Sequence, residues 1–247
     1  MFVFFLILTL LMSGCAKHKT KESMSAEELS SKAQSYIKTK KTDDAIPFIS
    51  ELITRYPDHA KIGKYKILLA ELQFKAKNYA GAKELYEHFS EYFPSDKHAE
   101  YARYKSILSA FYQTLPADCD QSYTDQTVKL CKDYLAQTQL KKYRTDVEKI
   151  LAKNQERLAE KEMYIFDFYL GKKQFDAARA RLAYLKDHYG TLPNIAPRLA
   201  FLSYKLALKE KKRDKALMQL NELQQHFPES NYVQMAQNLN TKSTFIF

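Results

Sequence analysis

The stretch Phe74–Pro94, FKAKNYAGAKELYEHFSEYFP, decides the fold. An aromatic residue ends one apolar-periodic run. Ala82 follows eight residues later, Leu85, Tyr86 and Phe89 continue at helical spacing, and Pro94 closes the segment. The residue types have physical reasons. Alanine lets a second helix approach the first closely, the aromatic ring fills the angle between them, and proline cannot continue the hydrogen-bond ladder. Nearly the same register stands 37 residues earlier as Tyr36, Ala45 and Pro57, and near the carboxyl end as Ala207, Ala216 and Pro228. Tyr169 and Ala178 give the first two elements again, with Gly190 in the place of proline.

A helix-turn-helix unit recurring on this register resembles the tetratricopeptide repeat. The expected fold is therefore all-α, an α-solenoid of about five helical hairpins over residues 26–238. The hairpins are placed at 26–57, 63–94, 98–140, 141–190 and 197–228, with a flexible tail at 239–247. The third is degenerate. Its helices are expected near Glu100–Thr114 and Thr124–Gln137, with a loop between. The fourth begins with an extended helix from near Lys141, whose apolar stripe reads Val147, Leu151, Leu158, Ile165 and Tyr169. A one-dimensional stack of such units offers a surface suited to peptides and proteins.

Composition agrees. Of 247 residues only five are glycine and seven proline, too few for the turns of a β-sandwich. There is no G-x-G or G-K-[ST] loop to cradle phosphate. Apolar residues at 45% exclude a disordered chain. The net charge of +10 is interleaved with acids rather than clustered, which argues against nucleic acid and for a solvated surface facing anionic lipid.

The amino terminus carries an address. Phe2–Met12 is an apolar run broken only by Thr9, too short to span a bilayer and of the length of a secretory core. Ser13-Gly14-Cys15 follows and resembles a bacterial lipobox, with Met12 where Leu is usual and no basic residue ahead of the run. The reading is a signal peptide at 1–14, then lipidation of Cys15 by diacylglycerol and an N-acyl (palmitate-type) chain. A basic tether would follow at 15–25, with Lys17, Lys19 and Lys21 adding electrostatic attachment to the membrane. Ala16 after the cysteine, rather than Asp, favours the outer membrane. Cys119 and Cys131 would meet a disulfide-permissive compartment; a bridge and two free thiols both remain open.

No constellation carries chemistry. The six histidines form no H-E-x-x-H, no serine sits in a G-x-S-x-G elbow, and the carboxylates fall on charged helix faces. The expectation is a protein that is not an enzyme and holds no metal and no cofactor beyond its lipid.

Address and repeats together resemble the BamD family, the lipoproteins of the outer-membrane β-barrel assembly machine. The local text that carries the resemblance is R-Y-P at Arg55–Pro57, Glu100-Tyr101-x-x-Tyr104, and Leu158-Ala159-x-x-Glu162 followed by Phe168-Tyr169 and Tyr189. The resemblance implies a non-catalytic scaffold on the periplasmic face of the outer membrane. It would bind unfolded barrel-protein precursors through Tyr56, Tyr101 and Tyr104, where aromatic rings offer contact area at low entropy cost. It would bind a BamA-like barrel protein with periplasmic repeats through Arg181. A family arginine in the second repeat is His88 here, a departure at that point of precursor recognition. The alternative is a pilotin-like or other repeat lipoprotein of a secretion or pilus system.

Overall fold

A computed structural model describes residues 20–244, with side chains through 239, and the described chain is all-helical. Cys15, expected to be lipidated, and the stretch read as a signal peptide lie outside the described residues. The chain divides into two compact units, Met1–Ala76 and Lys77–Phe247, a division that falls inside the stretch read as the second hairpin.

In the first unit, a 3-10 turn at Lys21–Ser23 precedes α1 (Ala26–Lys38), α2 (Thr42–Arg55) and α3 (Ile62–Lys75). The start of α1 is written locally. Ser25 accepts the Glu28 backbone N–H through its hydroxyl and returns its own N–H to the Glu28 carboxylate, satisfying two otherwise orphaned donors. α2 packs on both α1 and α3, burying Leu29, Ala33, Ala45, Ile49, Leu52 and Leu69.

The second unit holds α4 (Tyr79–Tyr92), α5 (Ala99–Phe111), α6 (Ser122–Ala136), α7 (Arg144–Gly171), α8 (Phe175–Tyr189), α9 (Ala196–Lys209), α10 (Arg213–His226) and α11 (Asn231–Thr244). Each helix packs on the next in chain order, α5 also touches α7, and α11 returns to α9. Tyr204, fully buried, donates its hydroxyl to the Ala236 carbonyl at 3.1 Å, and Phe201 stacks on Tyr232, so α11 covers the end of the last hairpin. The tail expected from 239 is therefore helical as far as Thr244; residues 245–247 lie outside the described residues.

The repeat register is borne out at the alanines. Ala45, Ala82, Ala178 and Ala216 each occupy the fourth position of α2, α4, α8 and α10, and none is more than 2% exposed. The turn before each of these helices has a common device absent from the sequence reading. Lys40, Lys77, Lys173 and Lys211 all sit in the left-handed region, at φ 59°, 62°, 58° and 59°. In three of these turns the next residue's N–H reaches back five residues: Lys41 to Tyr36, Gln174 to Tyr169, Lys212 to Ala207. These are Schellman closures, with lysine where glycine is the usual occupant. The acceptors lie nine residues before the repeat alanine. In the second repeat that position is Gln73, so Phe74 stands one residue late.

A side chain in the left-handed region carries strain of about 1–2 kcal/mol, which glycine avoids at a smaller entropic cost. Lys173→Gly is expected to stabilise the protein by about 0.5–1 kcal/mol, read as a higher midpoint in thermal or urea unfolding. A lowered midpoint would mean that the lysine side chain itself is held by contacts worth more than the strain.

The third hairpin lacks this turn. Instead Gln121, 1% exposed, donates to the carbonyls of Pro116 and Cys119 and accepts from the Thr124 hydroxyl, organising the longer loop. The stripe expected along α7 is displaced. Val147 is buried, but Leu151, Leu158, Ile165 and Tyr169 are not fully buried, and Ile150, Ala159, Met163, Phe166 and Leu170 are inside. The cause is that α7 serves two partners, α6 on one face and α8 on another, so a single stripe does not describe it. The bridge left open between Cys119 and Cys131 is not formed. Cys119 is exposed in the loop, while Cys131 faces inward among Ile107, Tyr134, Val147 and Ile150, where burial pushes its thiol up to about 12.

Candidate functional site

The residues singled out for binding fall in three places. Tyr56 belongs to the first unit, at the carboxyl end of α2, and is half-buried. Its hydroxyl donates to the Met24 carbonyl at 3.2 Å. Beside it Arg55 donates from Nη1 to the carbonyls of Lys21 and Met24, at 3.2 and 3.1 Å, and its guanidinium lies over the Tyr56 ring. The chain's own amino-terminal segment thus occupies the polar groups of the R-Y motif. Part of the stretch read as a free tether is fixed to the body.

Tyr101 and Tyr104 lie one helical turn apart on α5, both half-buried. Tyr104 stacks on Tyr143 almost parallel, with centroids 4.6 Å apart, and Tyr101 meets Tyr86 edge-on and Tyr143 at a tilt. Burial, then the carboxylate of Asp146, raises the pKa of the Tyr104 phenol. Lys105 places its ammonium over the rings of Tyr86 and Tyr101. Glu100, quoted only as part of a motif, proves to be the organiser of this corner: its Oε1 accepts from the Tyr134 hydroxyl at 2.8 Å and from the Lys142 N–H at 2.7 Å. Sequence reasoning had no signal for that, because both donors come from distant segments.

Arg181 sits on α8 with its side chain 40% exposed, and its Nη1 bonds the Glu162 carboxylate of α7 at 2.9 Å. Tyr184, stacked on His188, and Tyr189 lie on the same helix. Burial raises the pKa of the Tyr189 phenol, with Tyr184 the next contributor. The neighbouring Arg179 is the more committed to the fold: it pairs with Asp176 and with the largely buried Glu210, which Lys212 also meets at 3.0 Å. The sequence reading passed over Tyr164 and quoted Phe168 only as part of a motif; they are exposed at 55% and 59% one turn apart on α7. His88 is exposed and stacks on Tyr92, so the departure there leaves a ring in place of a guanidinium at that point of α4.

Among the described residues no group of His, Cys, Asp or Glu could hold a metal ion, and no helix is long and apolar enough to cross a membrane. The arrangement offers ring faces, carbonyl-reading donors and a half-exposed guanidinium.

Helices on one register, four of them with a buried alanine at the same fourth position, define an all-α helical-repeat protein of the tetratricopeptide type. Over residues 22–212 the chain matches the family described as YfiO, outer membrane lipoprotein. It belongs to that family. The outer membrane protein assembly factor BamD of Caulobacter vibrioides is 24% identical over 184 residues, 72% of this chain and 60% of that protein. The match thus spans about three-fifths of the relative's length. Two solved structures align broadly at 14% identity. A thermophilic TPR protein of Thermus thermophilus has a TM-score of 0.35, covering 90% of this chain and 100% of that one. The assembly chaperone of RpL4, Acl4, has a TM-score of 0.33, covering 85% and 79%.

Proposed function

We propose that this chain is a non-catalytic, lipid-anchored scaffold of outer-membrane β-barrel assembly. It is held on the periplasmic face of the outer membrane by acyl chains on Cys15. It receives unfolded barrel precursors and holds a BamA-like barrel protein carrying periplasmic repeats. The observation that carries this reading is family membership across residues 22–212, most of the described chain. The assembly-factor relative supports it. In this reading Tyr101 and Tyr104 present ring edges and faces to aromatic side chains of the precursor, stiffened by Tyr143 and Tyr86. Arg181 presents a planar fork of donors to a carboxylate or to carbonyls of the partner. Tyr56 would offer a precursor its ring rather than its hydroxyl, which bonds the Met24 carbonyl.

The test is depletion of the protein, with outer membranes assayed for barrel proteins, alongside a pull-down from detergent-solubilised membranes. The expected results are loss of the major barrel proteins and recovery of a barrel partner with periplasmic repeats. Normal barrel levels with failure of a pilus or a secretin would replace this reading with that of a pilotin-like lipoprotein.

A further inference from the structure

We propose that Arg55 and Tyr56 form a clamp that shortens the lipid leash and turns the end of the first unit carrying Met24 and the α2–α3 loop toward the bilayer. The inference rests on the lipid anchor at Cys15 proposed above. Three hydrogen bonds converge on two backbone carbonyls: Arg55 Nη1 to Lys21 O and to Met24 O, and the Tyr56 hydroxyl to Met24 O. Arg55 Nη2 donates to the Tyr56 hydroxyl at 3.3 Å, and its guanidinium covers the ring, so each clamp residue orients the other. The guanidinium is further placed by Glu51 one turn back, at 3.7 Å. The segment is prepared for capture. The 3-10 turn at Lys21–Ser23 presents the Lys21 carbonyl, and the Ser25–Glu28 capping box fixes the chain where it enters α1. Because the clamp reads carbonyls, its grip is independent of the side chains at 21 and 24.

The consequence is one of length. A tether free from residue 16 to 25 could reach about 36 Å from the lipidated cysteine, at about 3.6 Å per residue. With 21–24 held, the five residues between the cysteine and the clamp can span at most about 18 Å. The clamped end of the first unit therefore stays within that span of the lipidated cysteine, with the basic Lys21 beside it. The partner that fits this surface is an anionic bilayer, and the clamp is what keeps the first unit against it.

The experiment uses the full lipidated chain in vesicles containing anionic phospholipid. A fluorophore is placed at Asp58→Cys, an exposed position in the α2–α3 loop, and an acceptor on the headgroups. Cys119→Ser removes the exposed thiol, and Cys131 is buried. Arg55→Ala/Tyr56→Phe is expected to lower energy transfer, as is a ten-residue Gly/Ser insertion after Ala16 in the clamped chain. In parallel, trypsin should cut the unaltered protein at Lys17 and Lys19. In the double variant, cleavage after Lys21 should rise about tenfold, as local opening frees that carbonyl. Tyr56→Phe alone keeps the ring, loses one bond and should fall between the two. Unchanged protease cutting in the double variant would overturn the clamp. Altered cutting with unchanged transfer would overturn its role in membrane distance. Recovery of the unaltered chain in the soluble fraction would overturn the anchor itself, while the protease pattern would still report on the clamp.

Discussion

Phe166→Ala is expected to destabilise the second unit by about 3–5 kcal/mol, the cost of emptying a fully buried aromatic site that its surroundings cannot refill. Phe166 has no exposed surface and belongs to the same core as Met163, Leu170, Ala178, Leu182 and Leu199. Its helix, α7, packs on both α6 and α8, so neither neighbour can close on the void without leaving the other contact. For a unit of this size each kcal/mol moves the melting midpoint by about 2–4 °C, giving a fall of about 6–20 °C in circular dichroism. Phe168→Ala, two residues on, is the internal control. That ring is 59% exposed, and its loss should stay within about 0.5 kcal/mol. Equal losses from the two variants would place the wrong face of α7 against α8.

The contrast between Phe166 and Phe168 also marks what the sequence could and could not show. The hairpin register was legible because helices that approach closely admit only a small residue, and four alanines at one spacing rarely arise without that constraint. The helices α2, α4, α8 and α10 carry the apolar residues read from that register, Ala45, Ile49 and Leu52 in α2 and Ala216, Leu220 and Leu223 in α10 among them. The stripe of α7 was not legible, because a helix with two partners buries two faces and one periodicity cannot describe both. The left-handed lysines were invisible for a different reason. Lysine gives no turn signal, and only the backbone shows that Lys40, Lys77, Lys173 and Lys211 stand where glycine normally would. At the candidate sites, residue type was readable but commitment was not. Tyr56 and Tyr104 are both half-buried tyrosines, yet one spends its hydroxyl on the Met24 carbonyl and the other offers a stacked ring. Distant partners decide such cases, as with Glu100 and its two donors from α6 and the loop beyond it.

Arg181→Glu is expected to weaken the proposed complex with a barrel partner by a factor of about thirty or more, the loss typical of a central interface arginine, while the chain stays folded. The stability cost should be small. The guanidinium pairs with Glu162 at 2.9 Å, and 40% of its side chain is exposed, a setting in which such pairs contribute about 0–1 kcal/mol. Reversal puts two carboxylates face to face across α7 and α8, so a modest drop in melting midpoint accompanies the loss of binding. The two effects are separated by a second variant, Glu162→Arg/Arg181→Glu, which restores an ion pair between the helices with its sign exchanged. If Arg181 touches the partner, the double variant melts like the unaltered protein but still fails to co-purify the barrel protein. Restored co-purification would instead make Arg181 a positioning residue that acts by orienting α8 through Glu162. Arg181→Lys refines the assignment: a lysine keeps the charge but not the planar fork, so bidentate recognition predicts that it too loses most of the binding. An unchanged yield with Arg181→Glu would remove this residue from the interface altogether.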